Sequence, residues 1–203
     1  MFYETEKNDH GLPYNPFKSC IVPRPIGWIS TLSVDGVVNL APYSFFNGVA
    51  QNPPMVMFCA NGNQPHGQKD TLTNCEETGE FVANLATWDL REQMNTSCAP
   101  VGSEVDEMEL AALESLPSTI VKPPRVKASP IHMECVYHQT IDLPNTDPHS
   151  RNAMALGRVV GIHIDDAVLV DGVIDLTRIR PLARLGYMDY SVVNEVFTMM
   201  RPK

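Results

Sequence analysis

Between an apolar run and a helix-like stretch lies Gly62-Asn63-Gln64-Pro65-His66-Gly67-Gln68-Lys69-Asp70-Thr71, which holds residue types that bind phosphate: glycines that let the backbone approach, one ammonium and one hydroxyl. The Walker A pattern is not met, because Gln68 separates Gly67 from Lys69 and an acid follows the lysine. Two readings of these residues stay open. In one, a helix N-terminus, Lys69 and Thr71 hold a single phosphate; in the other, the segment is a solvated turn with Asp70 as the helix cap. No G-x-G-x-x-G follows a strand, no G-x-S-x-G occurs, and no cysteine carries a local catalytic signature, so a Rossmann site and a serine or cysteine hydrolase have no support. His132, Glu134 and His138 share one face of a strand, but six extended residues separate the two histidines by about 20 Å, too far for one ion. They read as a polar face, and His163 as a satisfied, partly buried histidine. Asn95-Thr96-Ser97 matches a glycosylation acceptor only by chance if the chain is not exported.

The elements that must carry these residues are short. Ile26, Trp28, Ser30 and Leu32 alternate with Gly27, Ile29, Thr31 and Ser33 and run into Asp35-Gly36, which predicts a hairpin with a type I′ turn. Met55–Ala60 and Glu80–Leu85 read as buried strands, with a helix between them that starts at Asp70 or Thr71 and ends at Gly79. Thr87 to about Ser97 reads as helical, and Ser103-x-x-Asp106 as a capping box opening a second short helix, giving a helical insert at 87–117. From Ile131 the period returns to two, with Met133, Cys135 and Tyr137 opposite His132, Glu134 and Val136; Ala153–Ile164 is a further strand. Six strands without βαβ alternation predict an antiparallel barrel or sandwich with helices at its ends.

Composition narrows the function. The 203 residues fit one domain spanning 1–203, and no apolar run reaches the roughly 18 residues of a membrane helix. With 15 Lys+Arg against 24 Asp+Glu, net charge −9 and scattered cations, nucleic acid is a poor partner. Acids stand where a signal peptide wants cations, and the five cysteines, 39, 16, 23 and 37 positions apart, form neither a disulfide framework nor a C-x-x-C pair. A soluble protein of a reducing cytoplasm is expected. The ten methionines read as core filler.

Taken in order, Pro23-Arg24-Pro25-Ile26-Gly27-Trp28-Ile29-Ser30-Thr31, Asn39-Leu40-Ala41-Pro42-Tyr43-Ser44-Phe45-Phe46-Asn47-Gly48, Lys69-Asp70-Thr71 and Glu80-Phe81-Val82-Ala83-Asn84-Leu85 resemble the flavin reductase-like family of FMN-binding split barrels. That group includes flavoredoxin and the reductase components of two-component flavin monooxygenases. The resemblance extends through Glu134-Cys135, Leu156-Gly157-Arg158-Val159 and Pro181-Leu182-Ala183-Arg184-Leu185-Gly186-Tyr187, roughly residues 15 to 190.

The resemblance implies a mainly β fold with helical insertions, a six-stranded antiparallel split β-barrel, dimeric with itself, with FMN in a groove near the subunit interface. Ser44, Lys69 and Thr71 would then hold the phosphate, with Asp70 mainly the helix cap. One of Ser30 and Thr31 would meet the flavin, since adjacent strand residues face opposite ways. Backbone around Phe45, Phe46 and Asn47 would donate to the ring or ribityl chain, and Cys59, Ala60 and Asn61 would line the same groove. Trp28 would pack on the isoalloxazine or belong to the core. The flavin supplies the chemistry, so no side chain is expected to be catalytic, and no metal is expected. Three functions fit: an NADH- or NADPH-dependent flavin reductase serving FMN or a partner monooxygenase or redox protein; an FMN-binding electron carrier; or a barrel whose groove serves another ligand or only dimer contacts. No residue is assignable to NADH or NADPH, and the 87–117 insert is placed to cover or open the groove.

Overall fold

The computed structural model describes residues 1–202. At its centre is one antiparallel sheet of seven strands: β1 Gly27–Leu32, β2 Val38–Tyr43, β3 Phe46–Gln51, β4 Pro54–Asn61, β5 Glu80–Leu85, β6 Ile131–Leu143 and β7 Asn152–Ile164, in the spatial order β2-β1-β5-β6-β7-β4-β3. The sequence predicts six of these. The seventh is β3, an edge strand exposed along most of its length and offset in register between Gly48 and Ala50, so it carries no apolar alternation to reveal it. The two edge strands, β2 and β3, are consecutive in the chain, with only Ser44 and Phe45 between them. The sheet curls enough for Phe46 of β3 to lie on Gly27 of β1, where an added Cβ would stand 2.4 Å from the ring.

The hairpin joining β1 to β2 forms as expected, but its turn differs. The Gly36 N–H donates to the Ser33 carbonyl at 3.0 Å, and Gly36 has φ +85°, whereas Asp35 is not in the left-handed region. A type I′ turn needs positive φ at both central residues, so the loop is longer, with the glycine after the turn. The Ser33 hydroxyl fills it by accepting from the Val37 N–H.

One face of the sheet encloses Ile29, Phe58, Phe81 and Cys135 under helix α1 (Asp70–Thr78), through Leu72 and Cys75. The other packs Trp28, Leu40 and Val126 beneath the insert, which holds a 3-10 turn (Trp88–Leu90), α2 (Arg91–Thr96) and α3 (Glu107–Leu110), through Leu90, Met94 and Met108. β1 is thereby buried on both sides. α1 ends on Gly79 at φ +75°, as expected. Its first turn differs: Lys69 is the N-cap, no side chain caps it, and Asp70 lies inside the helix. In α3 the cap is Asp106, whose carboxylate accepts from Met108 and Glu109 N–H groups; Ser103 takes no part, so the capping-box reading is corrected.

The polar face read for the start of β6 is also corrected. His132 and Glu134 are buried, because residues 118–126 fold over them. Glu134 accepts N–H groups of Thr119, Ile120 and Val121 at 2.8, 2.6 and 3.0 Å and stands 2.5 Å from His163 Nε2. Its lone pairs are thus used by the fold rather than by a metal. Burial opposes the charge, but these four partners outweigh it and hold the carboxyl down to about 2. A depressed carboxyl pKa adds stability that is complete above its unfolded value and lost as pH falls toward 2.

β7 carries a register shift between Leu156 and Gly157, and a Cβ on Gly157 would stand 2.3 Å from the buried Phe81 ring. Gly157→Ala should destabilise the fold by about 1–3 kcal/mol, read as a lower urea midpoint. Glu134→Gln should lower stability at pH 7 and flatten its decline between pH 5 and 2. Matching pH profiles for the two proteins would show that the carboxylate does not anchor the 118–121 segment.

Candidate functional site

A groove opens beside the Ser44–Phe45 junction of the sheet edges. One part, about 130 Å³, is lined by Pro42, Tyr43, Gln64, Lys69, Cys98 and Glu107 among others; the next, about 210 Å³, by Lys18, Arg24, Pro42, Ser44, Cys98 and Arg184 among others. Pro42 and Cys98 line both, so the two recesses lie side by side. Ser97, Cys98, Ala99 and Pro100 supply a wall, so the insert flanks the groove rather than leaving it bare. Cys98 feels Lys69 and Arg184 together: burial pushes its thiol up while both cations pull it down.

The cations come from different elements. Lys69 is the N-cap of α1, whose first turn lacks a side-chain cap and so presents its positive end with the ammonium. Arg24 and Arg184 are register partners in a small sheet of Arg24–Pro25, Leu182–Arg184 and Tyr190–Val192. Like charges placed opposite each other repel. The fold holds Arg24 there by its donations to the Lys18, Ile21 and Leu185 carbonyls, leaving its buried Nε without a partner. Burial, then Arg184, pulls the Arg24 pKa down. Arg184 stacks on Tyr190 at 4.3 Å from the ring centroid. None of Lys18, Arg24, Lys69 and Arg184 has a carboxylate ion-pair partner among the described residues. An anion fits this donor set; another cation does not.

The residues expected to hold a ligand divide into two groups. Ser44 and Lys69 line the groove. Thr71 is buried, accepting from Asn39 Nδ2 at 2.7 Å and hydrogen-bonded to Tyr43, so its hydroxyl serves the core. Thr31 lies in the same network, accepting from Asn39 and Asn74, and Ser30 donates to the Pro124 carbonyl at 2.6 Å; both are fully buried. Trp28 is completely enclosed with Nε1 donating to Ser97 Oγ at 2.9 Å, which leaves it no face for a ring to stack on. Ala60 is enclosed too. Asp70 accepts from Gln64 and meets His66 at 3.0 Å, so it ties the 62–69 loop to α1 instead of capping the helix. Phe45 stands beside Arg24 at 5.7 Å, and its carbonyl accepts from the Cys59 N–H. Phe46 covers Gly27, Asn47 is exposed with its side-chain Oδ1 accepting from the Gly48 N–H, and Asn61 is exposed at the end of β4. Arg24, Arg184, Pro42, Cys98 and Glu107 were not assigned to the site from sequence, although the first three lie in the quoted segments.

Glu107 is 3% exposed and faces the recess that Lys69 lines, its Oε2 accepting from the Leu40 N–H at 2.9 Å. Burial, aided by Asp70 and Asp106, raises its carboxyl to about 7 against the pull of backbone N–H groups.

The flavin reductase like domain family matches residues 19–182, and the chain belongs to that family. An uncharacterized protein of Halalkalibacterium halodurans is 35% identical over 190 residues, covering 93% of this chain and 90% of that one. Among solved structures, nitrilotriacetate monooxygenase component B from Bacillus cereus superposes with a TM-score of 0.89 at 30% identity, with 98% of each chain covered. Flavoredoxin of Desulfovibrio vulgaris (Miyazaki F) shares the fold, with a TM-score of 0.74 at 18% identity over 88% of this chain and 91% of that one. The family supports a flavoprotein oxidoreductase, and the two structural neighbours a mostly β, split-barrel type of fold.

A raised carboxyl pKa binds a proton more tightly in the folded chain, so Glu107 removes stability as pH rises from its unfolded value toward 7. Glu107→Gln keeps an acceptor for the Leu40 N–H and should abolish that part of the decline between pH 5 and 8. Identical slopes for the two proteins in urea unfolding would show that Glu107 does not titrate there.

Proposed function

We propose that the chain is a single FMN-binding flavin reductase-like unit that works as an NAD(P)H-dependent flavin reductase, passing electrons to FMN or onward to an acceptor. The observation that carries the reading is the convergence of Lys18, Arg24, Lys69 and Arg184, without ion-pair partners among the described residues, on one groove of a chain whose net charge is −9. FMN fits the groove's donors: Lys69 and the start of α1 would take its phosphate, Ser44 would donate from the sheet junction, and the ring would extend past Pro42 toward Arg24 and Arg184. FMN, when bound, supplies reversible two-electron chemistry. The protein's contribution is to hold and orient. Positive charge near the ring edge favours the reduced, anionic flavin, which is a task Arg24 and Arg184 are placed to perform. Ser30, Thr31, Thr71 and Trp28 would act indirectly by fixing β1, β2 and α1 beneath the groove.

The likeness to a monooxygenase component B supports a partner oxygenase as the electron acceptor. The C-terminal segment exposes Phe197 and Met200, apolar surface that a second copy of the chain would cover in a homodimer.

Purified protein should bind FMN, and Lys69→Ala should weaken binding about tenfold or more with stability unchanged, as loss of one charge-assisted contact predicts. Equal affinity of wild type and variant in a flavin fluorescence titration would remove Lys69 from the phosphate site. Anaerobic addition of NADH or NADPH should bleach the flavin band. A band that persists with both donors would make the protein an FMN carrier reduced by another protein.

A further inference from the structure

A larger chamber of about 620 Å³ adjoins the groove and shares Lys18 and Tyr187 with it. The N-terminal segment builds it. A turn in which the Glu4 carbonyl accepts from Lys7 and Asn8 folds the chain back, and Asn15 accepts from the Phe17 N–H to start a 3-10 turn over 17–20. Tyr14 packs on Tyr187 with ring centroids 5.6 Å apart, tying the segment to the turn that follows the strand carrying Arg184. The chamber presents aromatic rings from Tyr3, Phe17 and Tyr187, amides from Asn8 and Asn15, and the Lys18 ammonium at its mouth on the groove. The side-chain nitrogen Nδ2 of Asn8 makes no hydrogen bond among the described residues, while its Oδ1 accepts from Asn15 Nδ2. Phe17 is 51% exposed and Tyr187 47%, large apolar faces left open beside a cationic groove.

That volume lies within the roughly 300–1,000 Å³ of small-molecule sites. Aromatic walls select a planar ring, the side-chain N–H group left over on Asn8 Nδ2 meets its polar edge, and Lys18 demands an anion next to it. We propose that the chamber seats the second reactant of the groove: a planar aromatic molecule carrying an anionic group, with its ring among Tyr3, Phe17 and Tyr187 and its charge on Lys18. The proposal rests on the groove being the flavin site. Two sources share this chemistry, a nucleotide and an aromatic acid.

The test is calorimetric titration of the FMN-saturated full chain with adenosine 5′-monophosphate and, separately, with benzoate. One of the two should bind, and Phe17→Ala and Lys18→Gln should each weaken it about tenfold, the scale of one ring or charge contact, while the FMN affinity of the Phe17→Ala protein, whose ring does not line the groove, changes less than about twofold. Binding of the nucleotide alone assigns the chamber to a nucleotide donor, and binding of benzoate alone to an aromatic acid. If neither binds, or if both variants bind like wild type, the proposal is overturned. A wild type that fails to take up FMN sinks the functional reading separately, and the same titrations on the flavin-free chain then decide the chamber. Phe17 is half exposed and Lys18 holds Arg24 only through its backbone carbonyl, so neither variant threatens the fold.

Discussion

Two guanidinium groups held opposite each other by strand register set the terms for the rest of the structure. Arg24 and Arg184 pair across a two-residue strand, where mutual repulsion would ordinarily splay them apart. Arg24 is fixed by three backbone carbonyls and Arg184 by the face of Tyr190. Neither arrangement neutralises charge. With Lys69 brought in from α1, the protein concentrates positive potential at one place in a chain whose net charge is −9, and low-dielectric walls strengthen such a potential. The helical insert provides one of those walls through Ser97 to Pro100.

Several polar residues near this field are not part of the groove surface. Thr31, Asn39, Thr71 and Asn74 are bonded to one another inside the protein, joining β1, β2 and α1 through side chains. Buried polar groups of this kind fix relative position because each loses its partner if an element shifts. They set where Lys69 stands relative to Ser44. Residues that look like ligands in one dimension are in this case the braces of the site.

That distinction explains what could be read from the sequence. Strand and helix positions followed from apolar periodicity, which reports burial directly; β3 was missed because an exposed edge strand has none. Lys69 stood out by its charge beside a glycine-rich turn, with a solvated turn as the open alternative, and Ser44 came only from the family resemblance; both line the groove. Trp28, Thr31 and Thr71 were not separable from ligand contacts, because a hydroxyl or an indole N–H in a short strand has the same sequence signature whether it meets Ser97 or a cofactor. Arg24 and Arg184 stand 160 positions apart in the sequence, and only the antiparallel register of two very short strands makes them neighbours. Glu107 gave no signal at all, as its burial depends on where the insert folds back.

The junction at Ser44 and Phe45 joins the first and last strands of the sheet order, and the groove lies across it. A molecule seated there would act as a clasp between the two margins of the sheet. Because such a molecule would favour the folded chain over the unfolded one, occupancy would be felt as slower opening of β2 and β3, the strands with a free side, by an amount that grows with the logarithm of ligand concentration. The least protected part of the sheet would then report, through its amide exchange, whether the groove is filled.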